Sequence, residues 1–353
     1  MASVEVGRYR ERRVLRQARM HKVDPEETPP SEAAHMASFL GIDLSKETFH
    51  AFLLSDRGEA KRVFPNTSKG FDQLTAWLKN RRAVDVHICM EATGAYWEAL
   101  ALYLHGLNHR ISVVNPARIK AFAQSELLRT KTDAVDAALI ARFSKSQDPE
   151  PWIPPPPEIR VLQALMRHYE HLKTTRAQQS VYAQSSEATI VTASIAAVIA
   201  ALDEQIAQVE RKIRQHFDDH PDLKRRRDLL TSIPGIGEAT AGSILSEIPH
   251  LDRFQSAKAV AAFAGLSPRE RRSGTSIHGR PRLCKTGNAR VRKALYMPAM
   301  VALRFNPTLR VFADRLLSAG KHKRLVIGAV MRKLLVLAYG ILRSGVAFDP
   351  NYA

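Results

Sequence analysis

Four acidic residues stand at positions from which they could bind a metal ion. Asp43 lies inside an apolar run, Glu91 ends a second one, and Asp133 and Asp136 are three residues apart near a helix start. This spacing places two side chains on one helical face. A carboxylate inside an apolar strand is costly to bury without a partner. Because clustered carboxylates repel one another unless a hard dication neutralises them, the set predicts a Mg²⁺ site suited to phosphodiester chemistry.

Three of these acids also have a purely structural interpretation. Asp133 suits the first turn of a helix, where the helix dipole favours negative charge, and Asp136 is then its solvated neighbour. Glu91 is explained in the same way as a cap. The joint placement of all four, with one acid inside a strand, favours the metal site.

A polar, glycine-bearing loop is predicted from Pro268 to Gly287, late in the chain. Between Arg269 and Lys293, nine Lys or Arg residues accompany a single acid, Glu270. Glycines let the backbone approach a phosphate closely, and arginine pairs bidentately with phosphate oxygens. A phosphate-binding loop is therefore favoured over a solvated basic loop in which Ser273 is only a turn residue. The candidate nucleic-acid contacts, which the sequence does not rank, are Arg269, Arg271, Arg272, His278, Arg280, Arg282 and Lys285.

A short turn upstream adds a second candidate contact. Pro234-Gly235-Ile236-Gly237 stands between two helical patterns and resembles a helix-hairpin-helix turn, whose backbone amides grip a sugar-phosphate chain. A simple tight turn explains the same residues equally well. The three arginines at 225–227 favour nucleic acid, with Gly235 and Gly237 as the contact positions.

The elements that must position the acids follow an α/β pattern. Apolar runs predict five strands, and the order β-β-β-α-β-α-β-α indicates a mixed sheet with an initial hairpin meander and later crossovers. If the first and fourth strands are neighbours, the acids converge. The predicted strands are Phe39–Asp43, Phe49–Leu54, about Arg62–Phe64, Val84–Met90 and Ile111–Val114.

Prolines between residues 149 and 157 end this unit, because prolines in series cannot continue a helix. Beyond them, apolar residues from Ile195 to Ile213 alternate at spacings of four and three, which predicts either a helical hairpin or a dimerisation arm. The remainder is mostly helical. The predicted organisation is a disordered extension (1–37), an α/β domain (38–148), a helical, coiled-coil-like linker (149–223) and a helical domain carrying the serine loop (224–353).

Composition narrows the class of partner. The 353-residue chain has 53 Lys and Arg against 35 Asp and Glu, a net charge of +18 and a pI near 10.1. Such a chain attracts polyanions, most directly nucleic acid. Two cysteines cannot staple a fold of this size, which indicates a reducing compartment. We predict no membrane span, because the longest apolar runs are short or interrupted by charge.

Longer strings in the sequence resemble a known family. They are Gly41-Ile-Asp-Leu-Ser-Lys46, Glu91-Ala-Thr-Gly94, Val114-Asn-Pro116, Phe122-Ala-Gln-Ser125 and Lys131-Thr-Asp-Ala-Val-Asp-Ala137. Together with the Ser273-Gly-Thr-Ser276 string, they resemble the transposases of the insertion-sequence family one-ten, from about Phe39 to Asp349. In this chain Thr275 stands where some members of that family have a serine.

The resemblance implies a specific enzyme. It implies a ribonuclease-H-like, RuvC-type domain holding Mg²⁺ on Asp43, Glu91, Asp133 and Asp136, and a catalytic loop whose Ser273 becomes covalently joined to DNA. It also implies donor and target DNA, a bridge RNA as guide, and a homo-oligomer, expected to be a tetramer built from dimers. The expected location is the prokaryotic cytoplasm at the nucleoid.

Two other functions remain open at this point. One is a metal-dependent hydrolytic nuclease or Holliday-junction resolvase that uses water and leaves Ser273 idle. The other is a nucleic-acid-binding protein without catalysis.

Overall fold

The computed structural model describes residues 38–83, 85–127, 132–185, 188–273 and 277–351, and for 252, 270–273 and 277–281 it describes the backbone. The predicted extension (1–37) lies outside the described residues. The chain divides into two compact units between Trp152 and Ile153. The four-part organisation drawn from the sequence stays a prediction.

The first unit is built on a five-stranded mixed sheet. Its spatial order is β3-β2-β1-β4-β5, antiparallel among the first three strands of the chain and parallel among β1, β4 and β5. The first and fourth strands are neighbours, which is the condition under which the acids are expected to converge. The strands are β1 (Phe39–Leu44), β2 (Thr48–Ser55), β3 (Gly58–Pro65), β4 (His87–Glu91) and β5 (Arg110–Val114).

Helices cover both faces of this sheet. They are α1 (Ser68–Asn80), α2 (Glu98–Gly106), α3 (Pro116–Ser125) and α4 (Asp133–Gln147). Successive strand side chains point to opposite faces. Leu40, Ile42, Ile88 and Met90 accordingly share a core with α1 and α2. Cys89 lies in a separate core with α4 on the other face.

Gly41 sets how closely α4 approaches the sheet. A Cβ on this residue would meet the backbone of α4 at Ala137 and Ala141, within 2.9 Å of the Ala141 Cα. Only glycine leaves room for this contact. The start of α4, which carries Asp133 and Asp136, is thereby held against β1.

The chain leaves the first unit along the outer strand β5. Ser112 Oγ donates to the carbonyl oxygens of Pro149 (2.8 Å) and Glu150 (2.9 Å), and Trp152 N donates to Ile111 O (2.7 Å). The buried ring of His87 reaches Ser112 Oγ through Nε2 at 2.8 Å. Residues 149–152 are therefore fixed to the sheet.

The second unit is mostly helical. Its helices are α5 (Pro157–Ser185), α6 (Thr189–Asp219), α7 (Pro221–Thr231), α8 (Glu238–Glu247), α9 (Ala257–Phe263), α10 (Ala289–Phe305), α11 (Pro307–Ser318) and α12 (Lys323–Ser344), with a 3₁₀ turn at Leu251–Arg253. An antiparallel hairpin of β6 (Pro268–Ser273) and β7 (Ile277–Leu283) interrupts them. One apolar core extends from α5 to α12.

The two long helices α5 and α6 pair within one chain. Tyr169 Oη donates to Glu210 Oε1 (2.8 Å), and Arg176 contacts Asp203 at 3.0 Å. Val209 and Ile213 of the predicted seam are buried in the core of the second unit. The helical-hairpin interpretation thus describes the structure, and the dimerisation arm stays a prediction.

Among the residues that the structure describes, two helices reach the length and apolarity of a membrane span. They are Thr189–Asp219 and Lys323–Ser344, and half of the most apolar stretch of the second is buried inside the unit. A core helix passes the same test, so the feature does not separate a core position from a membrane position.

The predicted fold class, an α/β sheet domain of the ribonuclease-H-like type followed by helical regions, is confirmed. One local expectation is wrong. The sequence suggested a loop from Pro268 to Gly287, whereas residues 268–273 and 277–283 form paired strands. Strand pairing satisfies the backbone N–H and C=O groups of this polar segment. No pattern of hydrophobic side chains marks these strands in the sequence.

Candidate active site

Asp43 and Glu91 are neighbours on adjacent parallel strands. Ile42 and Met90 are register partners in the β1–β4 pair, and the two acids are the next residue of each strand. Parallel strands lie about 4.8 Å apart. The backbone therefore brings both carboxylates to the same end of the sheet.

Both acids lie on the sheet face that α4 covers. Asp43 is two residues after Gly41, which touches α4, and Glu91 is two residues after Cys89, which packs against Leu139 and Ile140. Because side chains two residues apart in a strand share a face, the strand acids and α4 meet on one side.

The start of α4 supplies the other two acids. Thr132 caps the helix, its Oγ1 accepting a hydrogen bond from Val135 N at 3.4 Å. Asp133 and Asp136 fill the first turn, where the helix dipole favours carboxylates. The structural interpretation of these two residues is thus satisfied as well, and it is compatible with a metal-binding role.

His50 is a neighbour that the sequence did not single out. It is the register partner of Asp43 in the β1–β2 hairpin, and its Nε2 lies 3.6 Å from Asp133 Oδ2. His50 therefore stands opposite Asp43 in the strand pair and beside Asp133 at the start of α4. The signal was present in the sequence as a short hairpin after Asp43, but fixing the partner requires the exact turn length.

Glu91 and Cys89 complete the local electrostatics. Thr93 Oγ1 donates to Glu91 Oε1 at 2.8 Å, which orients one oxygen of that carboxylate. Burial raises the pKa of the Cys89 thiol to about 12. The residue beneath Glu91 is therefore neutral and adds no negative charge to this end of the sheet.

The donor set is chemically suited to a hard dication. The four acids offer carboxylate oxygens, the ligands that Mg²⁺ prefers. Within the part of the chain that the structure describes, no group of three or more His, Cys, Asp or Glu side chains is already arranged to hold a metal ion. The backbone brings the acids to one face, and the metal site itself stays a prediction.

Ser273 lies in the second unit, as the last residue of β6. Its register partner is Ile277, and Gly274, Thr275 and Ser276 lie outside the described residues. The backbone also pairs Arg271 with Gly279 and Arg272 with His278, with an irregularity between Arg269 and Arg271. Arg280 is a further β7 residue. Ser273 is thus at the tip of a basic hairpin.

Among the basic residues counted there whose side chains the structure describes, three have protein partners. Arg292 Nη1 donates to the carbonyl oxygens of Ala264 (2.9 Å) and Gly287 (3.2 Å). Arg290 pairs with Glu247 at 3.3 Å, and Lys293 pairs with Glu170. Arg292 is therefore a structural residue at the hairpin base. Arg269, Arg282 and Lys285 are exposed.

The predicted helix-hairpin-helix turn joins α7 to α8. Gly235 has φ +108°, and a Cβ there would lie 2.8 Å from Ala302 Cβ, so this glycine packs against α10. Gly237 is exposed, caps α8 and has open space at its Cβ position. The two glycines therefore differ: Gly235 is required for packing, and Gly237 is accessible to a ligand. Arg227, next to this turn, pairs with Asp228 at 2.7 Å.

Comparisons with known proteins agree with this architecture. Residues 227–314 match the model "Transposase IS116/IS110/IS902 family", and residues 40–185 match a transposase model named for the DEDD domain of IS110. The chain is 36% identical over 317 residues to the pilin gene-inverting proteins of Moraxella lacunata and Moraxella bovis, covering 89% of this chain and 98% of each relative. It is 23% identical over 352 residues to the transposase for insertion sequence element IS1328 of Yersinia enterocolitica, covering 88% of this chain and 98% of that protein.

These matches cover the sheet domain with its four acids and the helical unit with the Ser273 hairpin. The resemblance predicted from the short sequence strings is confirmed. The chain belongs to the IS110/IS116/IS902 family of insertion-sequence transposases.

Proposed function

We propose that this transposase cuts and rejoins DNA through a phosphoserine intermediate formed by Ser273, at donor and target sites chosen by a bridge RNA. The observation that supports this most is that Asp43 and Glu91 end adjacent parallel strands, on the sheet face covered by the helix whose first turn carries Asp133 and Asp136. A basic protein of net charge +18 that only binds nucleic acid gains nothing from acids at these four positions, because they repel the phosphates of its ligand.

The four acids are the residues that would hold Mg²⁺. When bound, the metal would neutralise charge on the scissile phosphate and favour deprotonation of the attacking hydroxyl. His50 would help to hold Asp133 in place, since its Nε2 lies 3.6 Å from that carboxylate. Thr93 would do the same for Glu91.

Ser273 would supply the attacking oxygen. Its Oγ forms a bond to phosphorus while the bond from phosphorus to one sugar oxygen breaks, and the hydroxyl proton passes to a nearby base. The released sugar oxygen takes up a proton. In the reverse step a sugar hydroxyl attacks the phosphoserine, so the strand is rejoined without an external energy source. A serine hydroxyl needs such activation at neutral pH.

The charge distribution supports guidance by RNA. When base pairing with a guide selects the sequence, the protein needs affinity for phosphate backbones more than base-reading side chains. Exposed Arg269, Arg282 and Lys285 on the hairpin and the accessible amide turn at Gly237 fit that need. Exchange between two duplexes requires several protomers, and a tetramer built from dimers, acting at the nucleoid, is the proposed assembly.

Site-specific DNA inversion is a second candidate function. The chain covers 98% of two relatives named for inverting a pilin gene, at 36% identity. The same cutting and rejoining serves insertion and inversion alike. A plasmid with two inverted recombination sites distinguishes them, because inversion reverses the marker between the sites without adding DNA, whereas insertion adds the element.

The deciding experiment for the chemistry follows labelled DNA on denaturing gels. With unmodified protein we expect a slowly migrating band that protease removes, because DNA is joined to protein. Ser273→Ala should abolish both that band and all cleavage, while Ser276→Ala, a matched change in the same string, should retain them.

Two outcomes would contradict the proposal. If Ser273→Ala still cuts DNA, the enzyme is a hydrolytic nuclease or resolvase that uses water. If Asp43→Asn and Glu91→Gln leave DNA processing unchanged, the acids are structural and the metal site is wrong. Circular dichroism of each variant checks that the fold is retained.

A further inference from the structure

Three helices of the second unit, α5, α8 and α10, enclose a groove of about 570 Å³. We propose that this groove binds one nucleotide of a single-stranded nucleic acid, apart from the active site. Its volume falls within the range of about 300–1,000 Å³ typical of small-molecule pockets. The proposal goes beyond the cutting and rejoining chemistry and does not depend on Ser273.

The floor of the groove is apolar and closely packed. A Cβ on Gly242 would lie 2.8 Å from Met166 Sδ, so the glycine lets α8 approach α5 closely and buries the methionine. Ala294 and Met297 of α10 line the same floor, and the Met297 side chain is 64% exposed. This surface offers a base or a ribose ring a flat apolar contact.

The rim of the groove carries an excess of positive charge. Its charged lining consists of Arg167, Lys173, Arg290 and Lys293 against Glu170 and Glu247. Glu247 is already compensated, because Asn288 Nδ2 donates to it at 2.8 Å and Arg290 contacts it at 3.3 Å. Lys293 pairs with Glu170, yet its side chain is 65% exposed, so its ammonium group can turn to a ligand.

Lys173 is the cation of this rim best placed for a ligand. It is exposed, and its Nζ lies 5.5 Å from the centroid of the Tyr169 ring, a contact with an uncharged group. The described ion pairs give it no carboxylate. Because two positive charges remain after the two acids are balanced, the rim favours an anion, and the apolar floor beside it favours a nucleotide over a bare phosphate.

Several lining residues of the groove follow, along the chain, the two other candidate nucleic-acid contacts of this unit. Ala239 and Thr240, in the first turn of α8, line it and come directly after the accessible Gly237 turn. Arg290 and Lys293 lie in the first turns of α10, shortly after the basic hairpin. A strand whose phosphate is held at the turn would place its next nucleotide in the groove. Duplex bases are stacked and paired, so a single strand fits and a duplex does not.

Fluorescence anisotropy with the full chain tests this proposal. The probes are fluorescein-labelled d(T)10 and r(U)10 and a labelled 20-base-pair DNA duplex. Lys173→Gln combined with Lys293→Gln should weaken binding of a single strand about tenfold and reduce the salt slope by about 1.4, the value for two lost phosphate contacts. The probe that loses more affinity identifies the strand as DNA or RNA.

A steric variant tests the groove without changing charge. Ala239→Trp, at an exposed position of the lining, should weaken single-strand binding by about 5-fold or more, because the indole would fill the space proposed for one base. Arg211→Gln combined with Lys212→Gln is the matched control for the lysine pair, because it also removes two positive charges. Both residues are exposed on α6 and neither lines the groove. This control should stay within twofold of the unmodified protein.

The outcomes separate the groove from the rest of the molecule. Equal losses for the duplex and the single strands would overturn the proposal, as would binding within twofold by a folded Ala239→Trp protein or displacement of d(T)10 by millimolar inorganic phosphate. Asp43→Asn, which removes a proposed metal ligand, should leave single-strand binding unchanged. Failure of the active-site mechanism and failure of the groove can thus be told apart.

Discussion

His87 should make the stability of the first unit depend on pH. Its ring is buried, and its Nε2 lies 2.8 Å from Ser112 Oγ, whose proton goes to a backbone carbonyl. His87 is therefore the donor of that bond, and it is neutral, with its Nδ1 lone pair 3.5 Å from Asp148 Oδ1. Burial, reinforced by the positive charge of Arg110 and opposed by the negative charge of Asp148, lowers the pKa of His87 from 6.5 to about 4.

The size and sign of the effect follow from that shift. Between pH 6.5 and 4 the unfolded chain binds a proton at this histidine and the folded chain does not, so the free energy of unfolding falls as the pH falls. Each pKa unit corresponds to about 1.4 kcal/mol, so the full shift corresponds to about 3 kcal/mol. The contribution is fully present above pH 6.5 and is lost as the pH approaches 4.

Urea unfolding followed by tryptophan fluorescence measures this directly. All three tryptophans, Trp77, Trp97 and Trp152, belong to the first unit, so the signal reports that unit alone. The variant His87→Phe keeps a ring of similar volume and cannot titrate. At pH 7 the unmodified protein should be the more stable of the two, and this advantage should shrink by about 3 kcal/mol when the pH approaches 4.

Comparing the unmodified protein with His87→Phe at each pH cancels the contribution of all other titrating groups to the free energy of unfolding. His105→Gln, which alters an exposed histidine of the same unit, should give a curve parallel to that of the unmodified protein. If the difference between the unmodified protein and His87→Phe is the same from pH 7 to pH 4.5, the neutral, buried histidine and its role in fixing residues 149–150 are refuted.

Two further substitutions test other contacts. Gly41→Ala should lower the free energy of unfolding by about 1–3 kcal/mol and reduce DNA cleavage, because the added methyl group pushes α4 and its acids away from β1. Urea unfolding measures the first effect and the cleavage assay the second. Gly106→Ala is the control and should change neither, because a Cβ there meets nothing within 4 Å. Asn288→Ala should cost about 1–2 kcal/mol, because Asn288 Oδ1 caps α10 through Arg290 N at 2.9 Å. Thermal unfolding by circular dichroism checks this, and Asn288→Ser should recover part of the loss; equal losses for the two would show that capping is not the cause.

Much of the first unit could be predicted from the sequence. The apolar runs around Asp43 and Glu91 identified β1 and β4, and the order of elements indicated a mixed sheet with crossovers. That β1 and β4 lie side by side is seen in the structure. The capping residue Thr132 and the acids after it marked the start of α4. These are local signals, which a single sequence carries in full.

The missed features depend on long-range partners. His50 became a neighbour of Asp133 only through the β1–β2 register and the packing of α4. Arg292 is counted in the basic segment between Arg269 and Lys293, but its guanidinium donates to carbonyl oxygens at the hairpin base. The β6–β7 pairing also escaped prediction, since polar residues fill both strands and no alternation of hydrophobic residues marks them.

The path of the chain after α4 has a practical consequence for the isolated sheet domain. An open sheet has two edge strands that can recruit a further strand and aggregate. The β3 edge is protected by exposed charges such as Lys61 and Arg62, whereas part of the β5 edge is covered by residues 149–152 through Trp152 N and Ile111 O. A fragment ending at residue 148 would lose that cover and self-associate, and one that retains Trp152 should remain monodisperse.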